Sequence, residues 1–231
     1  MGTMARKKYQ EIAEHFELLI LSGRLKPGDR LPAERQIMED FDAGRSSVRE
    51  ALFSLQRQGL LTSRPGAVPR VSTPTVGGIF TELSGSMRHY MNRPEGLREM
   101  QDARALLEIG LARRAAKLAT PEDIRMLGKA LDANRAAKDL DEFVQTDVAF
   151  HLEIAKVSRN PVFEALNTAL SDWLKDQRVK SSQVTPDFSQ VVAQHQEILD
   201  AIVERNVEKA ADAMDRHLSE VAQKYWKAVL N

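Results

Sequence analysis

The sequence predicts a mainly α fold in two parts, a small N-terminal unit and a larger antiparallel helical bundle. Three observations carry that expectation. Apolar residues recur at helical spacing along most of the 231 residues. Strand-like sequence is confined to one short hairpin before residue 73. One polar, breaker-rich stretch, Val71-Ser-Thr-Pro-Thr-Val-Gly-Gly78, interrupts the pattern and marks a linker. The predicted bounds are residues 1–71, a linker at 72–78, and residues 79–231.

Arg6 to Leu21 is an amphipathic helix with Ile12, Phe16 and Leu19 on one face. Ser22-Gly23 stops it. Lys26-Pro-Gly-Asp29 makes a turn, and Pro32 stands where a second helix opens. That helix, Glu34 to Phe41, turns Ile37, Met38 and Phe41 inward. Asp42-Ala-Gly44 is a tight turn. A third helix, Arg45 to Gln58, buries Val48, Leu52 and Leu55 and stops at Gly59. Leu60 to Ser63 and Val68 to Ser72 then pair as short strands around Arg64-Pro-Gly-Ala-Val68. Helix, helix, turn, helix and hairpin make a winged helix-turn-helix.

Charge supports a polyanion partner for this unit. The formal net charge is zero, yet residues 1–71 hold 12 Lys/Arg against 9 Asp/Glu, and the remainder holds 21 against 24. Residues 43–71 carry five Arg and one acid, Glu50. The third helix presents Arg45, Ser46 and Arg49 in its first turns, away from its apolar face. The N-terminal residues of such a helix reach base edges in the major groove, where Arg bridges G O6 and N7. The hairpin brings Arg64 and Arg70 toward phosphate or the minor groove, with Gly66 permitting close approach. Arg35 is a candidate phosphate contact.

Leu31-Pro-Ala-Glu-Arg35, Gly44-Arg-Ser-Ser-Val-Arg-Glu-Ala-Leu52 and Gln58-Gly-Leu-Leu61 resemble the GntR family of bacterial transcription regulators. The resemblance implies DNA contact by Arg35, Arg45, Arg49 and the wing around Gly66. Ala33 and Gly44 depart from the pattern, since family members often carry a side chain there that caps a helix. Gly66-Ala-Val-Pro-Arg70 replaces the usual Gly-x-Gly of the wing.

The second part carries six or seven helical runs. Ile79 to Asn92 ends at Arg93-Pro94, and Glu95 to Leu118 follows. Thr120-Pro-Glu-Asp123 is a helix start with cap, N1 proline and acid in order, opening a run to about Lys138. Leu140 to Val157 comes next. Asn160-Pro161 opens Val162 to Ser181, Pro186 opens a run to Arg205, and Asn206 to Val229 closes the chain. Short joints between such runs make an antiparallel bundle.

Four residues in the bundle carry metal chemistry. Asp147 and His151 are four apart, hence on one helix face. His195 and His217 lie mid-helix in the last two runs, with apolar neighbours. Burying three neutral imidazoles leaves costly unmet hydrogen bonds unless each has a use. One Asp and three His from three helices suit a borderline divalent cation, zinc first and nickel next. Five or six coordination would leave room for a carboxylate or water. The alternative is a set of satisfied core histidines.

Arg104-Ala-Leu-Leu-Glu108, Asp147-Val-Ala-Phe-His151, Asn160-Pro161, the His195 helix and Ala213-Met-Asp-Arg-His-Leu218 resemble the FCD effector domain of the FadR branch of this family. The resemblance implies that Asp147, His151, His195 and His217 bind a metal ion, one per chain. It also implies that Arg104 meets an effector carboxylate; a salt bridge with Glu108 is its structural alternative. Ala5-Arg-Lys-Lys8, Glu82-Leu-Ser-Gly85 and Asp172-Trp-Leu174 with Arg178 are similar to sialic-acid-responsive members. That similarity implies N-acetylneuraminate or a related acidic sugar as effector, with Arg104 and Arg178 as anion partners. Tyr225 and Trp226 either line the cavity or pack the last helix.

The expected function is a metabolite-responsive transcription repressor that binds operator DNA as a homodimer, with effector action passing through the linker. The alternative is a metal-dependent hydrolase of a small acidic sugar with an accessory DNA-binding domain. Glu108, Asp102 and Glu153 would be its candidate bases, but no nucleophile motif, phosphate loop or His-Glu-x-x-His is present. A DNA-architectural protein with a structural metal is a third reading. The absence of Cys excludes disulfides, thiolate metal sites and cysteine nucleophiles. No signal-peptide pattern and no apolar run of the ~18–20 residues that span a bilayer occur, so a cytoplasmic location is expected.

Overall fold

The computed structural model describes residues 7–62, 68–73, 75–183 and 188–230. The chain forms two compact units, Met1–Thr75 and Val76–Asn231. Among the described residues the first holds α1 (Lys8–Leu21), α2 (Glu34–Asp40), α3 (Arg45–Arg57), β1 (Leu61–Thr62) and β2 (Arg70–Val71).

The core of this unit is the set of apolar faces predicted from periodicity. Ile12 and Phe16 of α1 pack with Ile37 of α2 and with Val48, Leu52 and Leu55 of α3, all essentially removed from solvent. Neither Ala33 nor Gly44 caps its helix through a side chain; both only supply extended backbone. Gly59, at φ +70°, ends α3, with the Leu60 amide donating back to the Leu55 carbonyl at 3.0 Å. β1 and β2 pair antiparallel, Leu61 with Val71 and Thr62 with Arg70. The other edge of β2 is used too. Leu31 N donates to Pro69 O at 3.0 Å and Val71 N to Asp29 O at 2.8 Å, so residues 28–31 cover that edge.

The second unit holds α4 (Val76–Tyr90), α5 (Pro94–Leu118), α6 (Pro121–Arg135), α7 (Leu140–Lys156), α8 (Pro161–Trp173), α9 (Lys175–Gln183), α10 (Ser189–Val203) and α11 (Val207–Leu230). Its starts follow local chemistry. Asp123 N donates to the Thr120 hydroxyl and the Asp123 carboxylate accepts from Thr120 N. Asp139 accepts from Glu142 N at 2.9 Å, and Asn160 from Val162 N at 2.9 Å. One contiguous core runs through Leu111, Leu127, Leu131, Phe150, Ile198 and Met214. Small residues, Ala112, Ala115 and Ala116 on α5 and Ala210 and Ala213 on α11, bring those two helices close.

Three boundaries differ from the expectation. Residues 76–78 belong to α4 rather than to the linker. Helical glycine costs about 1 kcal/mol, and docking offsets it: Phe80 meets the Trp173 ring edge-on and Trp173 Nε1 donates to Ser84 Oγ at 3.0 Å. The run from Val162 to Ser181 breaks at Leu174, which is buried against Leu97, Met100 and Leu170, so that α9 can turn Gln177, Arg178 and Ser181 inward. α6 ends at Arg135, because residue 139 must be extended to cap α7. Pro186 lies outside the described residues.

Candidate metal centre and DNA-contacting surface

α7 supplies Asp147 and His151, α10 supplies His195 and α11 supplies His217. One ligand atom from each lies within 4.8 Å of all the others. The three imidazoles are 0–1% exposed. His217 Nε2 is 3.3 Å from His151 Nε2, and His195 Nε2 is 3.5 Å from an Asp147 oxygen.

The surroundings fix which ring nitrogen carries the proton. His195 Nδ1 is 3.0 Å from Asn134 Oδ1. The Asn134 amide nitrogen donates to Thr146 Oγ1 at 3.0 Å, so its oxygen must accept. His217 Nδ1 is 3.0 Å from Gln194 Oε1, and the Gln194 nitrogen donates to Glu220 at 2.6 Å, which orients that amide likewise. His151 Nδ1 lies 2.5 Å from Glu108 Oε2, which sets the carboxylate against that edge of the ring. His195 and His217 are therefore held as Nδ1–H, and the Nε2 atoms of all three rings face one another. His217 Nε2 and His151 Nε2 face each other at 3.3 Å, an arrangement that can hold a cation.

Charge agrees with this reading. Burial pushes the His195 imidazolium down to about 3 and drives His217 well below its ordinary value, so both rings are neutral ligands. Burial would raise Asp147, but Arg178, with Nε 2.7 Å from the carboxylate, outweighs it and holds it low. Glu108 is likewise buried, and Arg104 at 2.7 Å and His151 hold it well below the carboxylate range.

Glu108, Asn134 and Gln194 contact the histidines of the cluster, a placement that the sequence alone does not predict. Asn134 carried a signal: it falls on the buried face of α6, seven residues after Leu127 and three after Leu131. Arg104 takes the salt bridge with Glu108 and also borders a cavity of about 20 Å³ beside the cluster, with Asp147, Arg178, Ser181, His217 and Lys224. Arg178 spends only Nε on Asp147. Its two terminal nitrogens are buried with no hydrogen-bond partner among the described residues. Tyr225 and Trp226 are absent from this lining. Tyr225 packs with Leu97, Met100 and Leu170, and Trp226 donates to Gln101 at 2.9 Å under the Arg98 guanidinium, so both pack the last helix.

In the first unit Arg45, Ser46 and Arg49 are exposed on the first turns of α3. Arg49 Nε meets Glu34 at 3.1 Å and Arg35 Nε meets Glu39 at 3.1 Å. Exposed pairs of this kind are worth about 0–1 kcal/mol, little enough to exchange for phosphate. Arg70 donates to the Gly28 carbonyl at 2.8 Å and holds the Lys26–Asp29 turn. Arg64 and Gly66 lie outside the described residues. Among the described residues no helix is long and apolar enough to cross a membrane.

Residues 8–71 match the family described as bacterial regulatory proteins, gntR family, and residues 99–220 match the FCD domain. The chain is 38% identical to the HTH-type transcriptional repressor NanR of Cronobacter sakazakii, over 94% of this chain and 85% of that one. It is 38% identical to the protein of the same description from Klebsiella aerogenes, over 98% and 88%. Among solved structures, the Streptococcus agalactiae GntR superposes with a TM-score of 0.61 at 26% identity, over 93% of this chain and 99% of that one. E. coli McbR/YncC, at 17% identity and a TM-score of 0.55, shares the fold. The hydrolase alternative draws no support from these similarities.

Proposed function

The chain belongs to the GntR family of bacterial regulatory proteins and carries an FCD domain, and from that premise we propose that its helical unit is a metal-dependent sensor of a small acidic metabolite. The chain is a DNA-binding transcription regulator, with GntR and FCD domains and repressors among its relatives. The proposal adds what it senses and how. The observation that carries it is the convergence of three Nε2 atoms and one carboxylate, each imidazole braced at Nδ1 by Glu108, Asn134 or Gln194.

Neutral imidazoles with one carboxylate favour zinc, with nickel next. Bound there, the cation supplies a positive charge that draws an anionic metabolite to the cavity. Arg178 then offers two uncommitted terminal nitrogens in a fork that matches a carboxylate, and Arg104 adds charge beside it. The effector we propose is a sialic acid, N-acetylneuraminate or a close relative, in keeping with the 38% identity to NanR repressors. Effector binding lowers operator affinity by favouring a state that fits DNA poorly. The working form is a cytoplasmic homodimer, two α3 helices reading repeated or palindromic half-sites.

The test is calorimetric titration of the metal-loaded protein with N-acetylneuraminate, with glucuronate and metal-stripped protein as controls. Heat only from the sialic acid, and only with metal present, is expected. Equal binding to stripped protein would overturn the role of the cation, and no binding at all would overturn the effector class.

A further inference from the structure

We infer that Phe53 reads the C5 methyl group of a thymine in the major groove, as the apolar member of the face that α3 turns to DNA. The inference rests on α3 as the base-contacting helix and adds to that reading one residue and the base feature it recognises. Phe53 is 61% exposed, whereas Val48, Ala51, Leu52 and Leu55, the other apolar residues of α3, are all buried. The packing of the first unit therefore does not account for a phenylalanine at this position. At about 100° per residue, Phe53 falls about 20° from Ser46 and about 40° from Arg49 around the helix. Arg57, one turn further on, lies about 40° to the other side. Ser46, Arg49 and Arg57 are exposed as well, so Phe53 stands in the middle of a solvent-facing stripe.

Spacing and charge say what covers the ring. Ser46, Arg49 and Phe53 stand at i, i+3 and i+7, the spacing at which a helix lying along the major groove reads successive bases. Seven residues rise about 10.5 Å, which fits within a groove about 12 Å wide. The outward face of α3 carries Arg45, Arg49 and Arg57 against one acid, Glu50. A second copy set against this face would bring arginine against arginine, whereas a polyanion matches it. Within the groove, thymine alone presents a methyl group, and an aromatic ring is one of the apolar surfaces that meets it. Phe53 offers no acceptor to the amino group that cytosine places in the same groove, so the ring favours T·A over C·G. Arginine hydrogen-bonds to guanine and phenylalanine recognises the thymine methyl, two contacts on one helix that specify different bases.

Mobility-shift titration of the full chain on a duplex operator selected from a random pool tests this. Deoxyuridine replaces thymine one position at a time and removes only the methyl. The parent should lose about threefold to fivefold in affinity at one position of each half-site. Phe53→Ala should bind the selected operator about tenfold more weakly and should no longer distinguish deoxyuridine from thymine there. Its salt dependence should equal the parent's, because an apolar ring releases no counterion. The ring is exposed, so circular dichroism should not change. A methyl penalty that persists in Phe53→Ala, or that the parent never shows, would overturn the contact and leave α3 standing as the base-contacting helix. A Phe53→Ala protein weakened equally on operator and on random duplex would overturn base recognition by this residue. Undiminished specific binding by Arg45→Ala/Arg49→Ala would overturn the α3 face itself, and the inference with it.

Discussion

At the scale of single residues, the metal site is a problem of tautomers. Four clustered side chains are ordinary; what favours a metal there is that Asn134, Gln194 and Glu108 each lie against an Nδ1 and leave the Nε2 atoms facing one another. Replacing Asn134 by Leu keeps the volume and removes the brace. Metal affinity, measured by chelator competition, should fall about 10–100-fold. Unchanged affinity would mean that Asn134 only packs. Arg104 behaves differently. Its removal leaves Glu108 buried without its nearest cation, which costs about 3–5 kcal/mol, so Arg104→Ala should weaken metal and effector binding together. On α3, Arg45→Ala/Arg49→Ala should keep helicity and lose specific operator binding, at about 1–3 kcal/mol for each base contact in a mobility-shift titration. The four clustered side chains were legible, because the i to i+4 spacing of Asp147 and His151 and the mid-helix positions of the other histidines are properties of one strand of text. The braces were not. Glu108 and Asn134 reach their histidines from other helices, and no local spacing encodes that meeting.

At the scale of elements, starts were easier to see than stops. A helix start is local: Thr120, Asp139 and Asn160 each cap with their own side chain. Thr120→Ala should therefore destabilise the helical unit by about 0.5–2 kcal/mol in urea titration. No loss would show that Asp123, already bonded to Arg159 at 2.7 Å, holds the turn unaided. Stops answer to packing. The break at Leu174 has neither Gly nor Pro to announce it. It exists because Leu174 stays in one apolar cluster while Arg178, four residues on, must face Asp147. The helix through Gly77 and Gly78 is the same lesson reversed, since weak intrinsic propensity yields to the dock of Phe80 and Ser84 on Trp173.

At the scale of the whole molecule, six helices meet at the cluster: α7, α10 and α11 through Asp147 and the histidines, α5, α6 and α9 through Glu108, Asn134 and Arg178. A cation that binds only the folded form stabilises all six together. With free zinc at about 100 times its dissociation constant, the helical unit gains about 2.7 kcal/mol. Calorimetric melting should show this as a transition that moves down when a chelator is added and returns with zinc. A transition indifferent to metal would remove the cluster from the folding balance. The division into two units was readable from the breaker-rich stretch near residue 75, because a composition shift needs no three-dimensional knowledge.

The cavity beside the cluster holds about one water. The proposed sugar acid is larger than that space, so its binding there would require the side chains that wall it to part. Entry is then set by how often they part and not by how often ligand arrives. The observed binding rate should level off as ligand rises, below the diffusional range of about 10⁵–10⁷ per molar per second. Departure waits for the same opening. A regulator gated in this way averages its metabolite over time: brief pulses pass unregistered, and a sustained supply stays registered for a while after it ends.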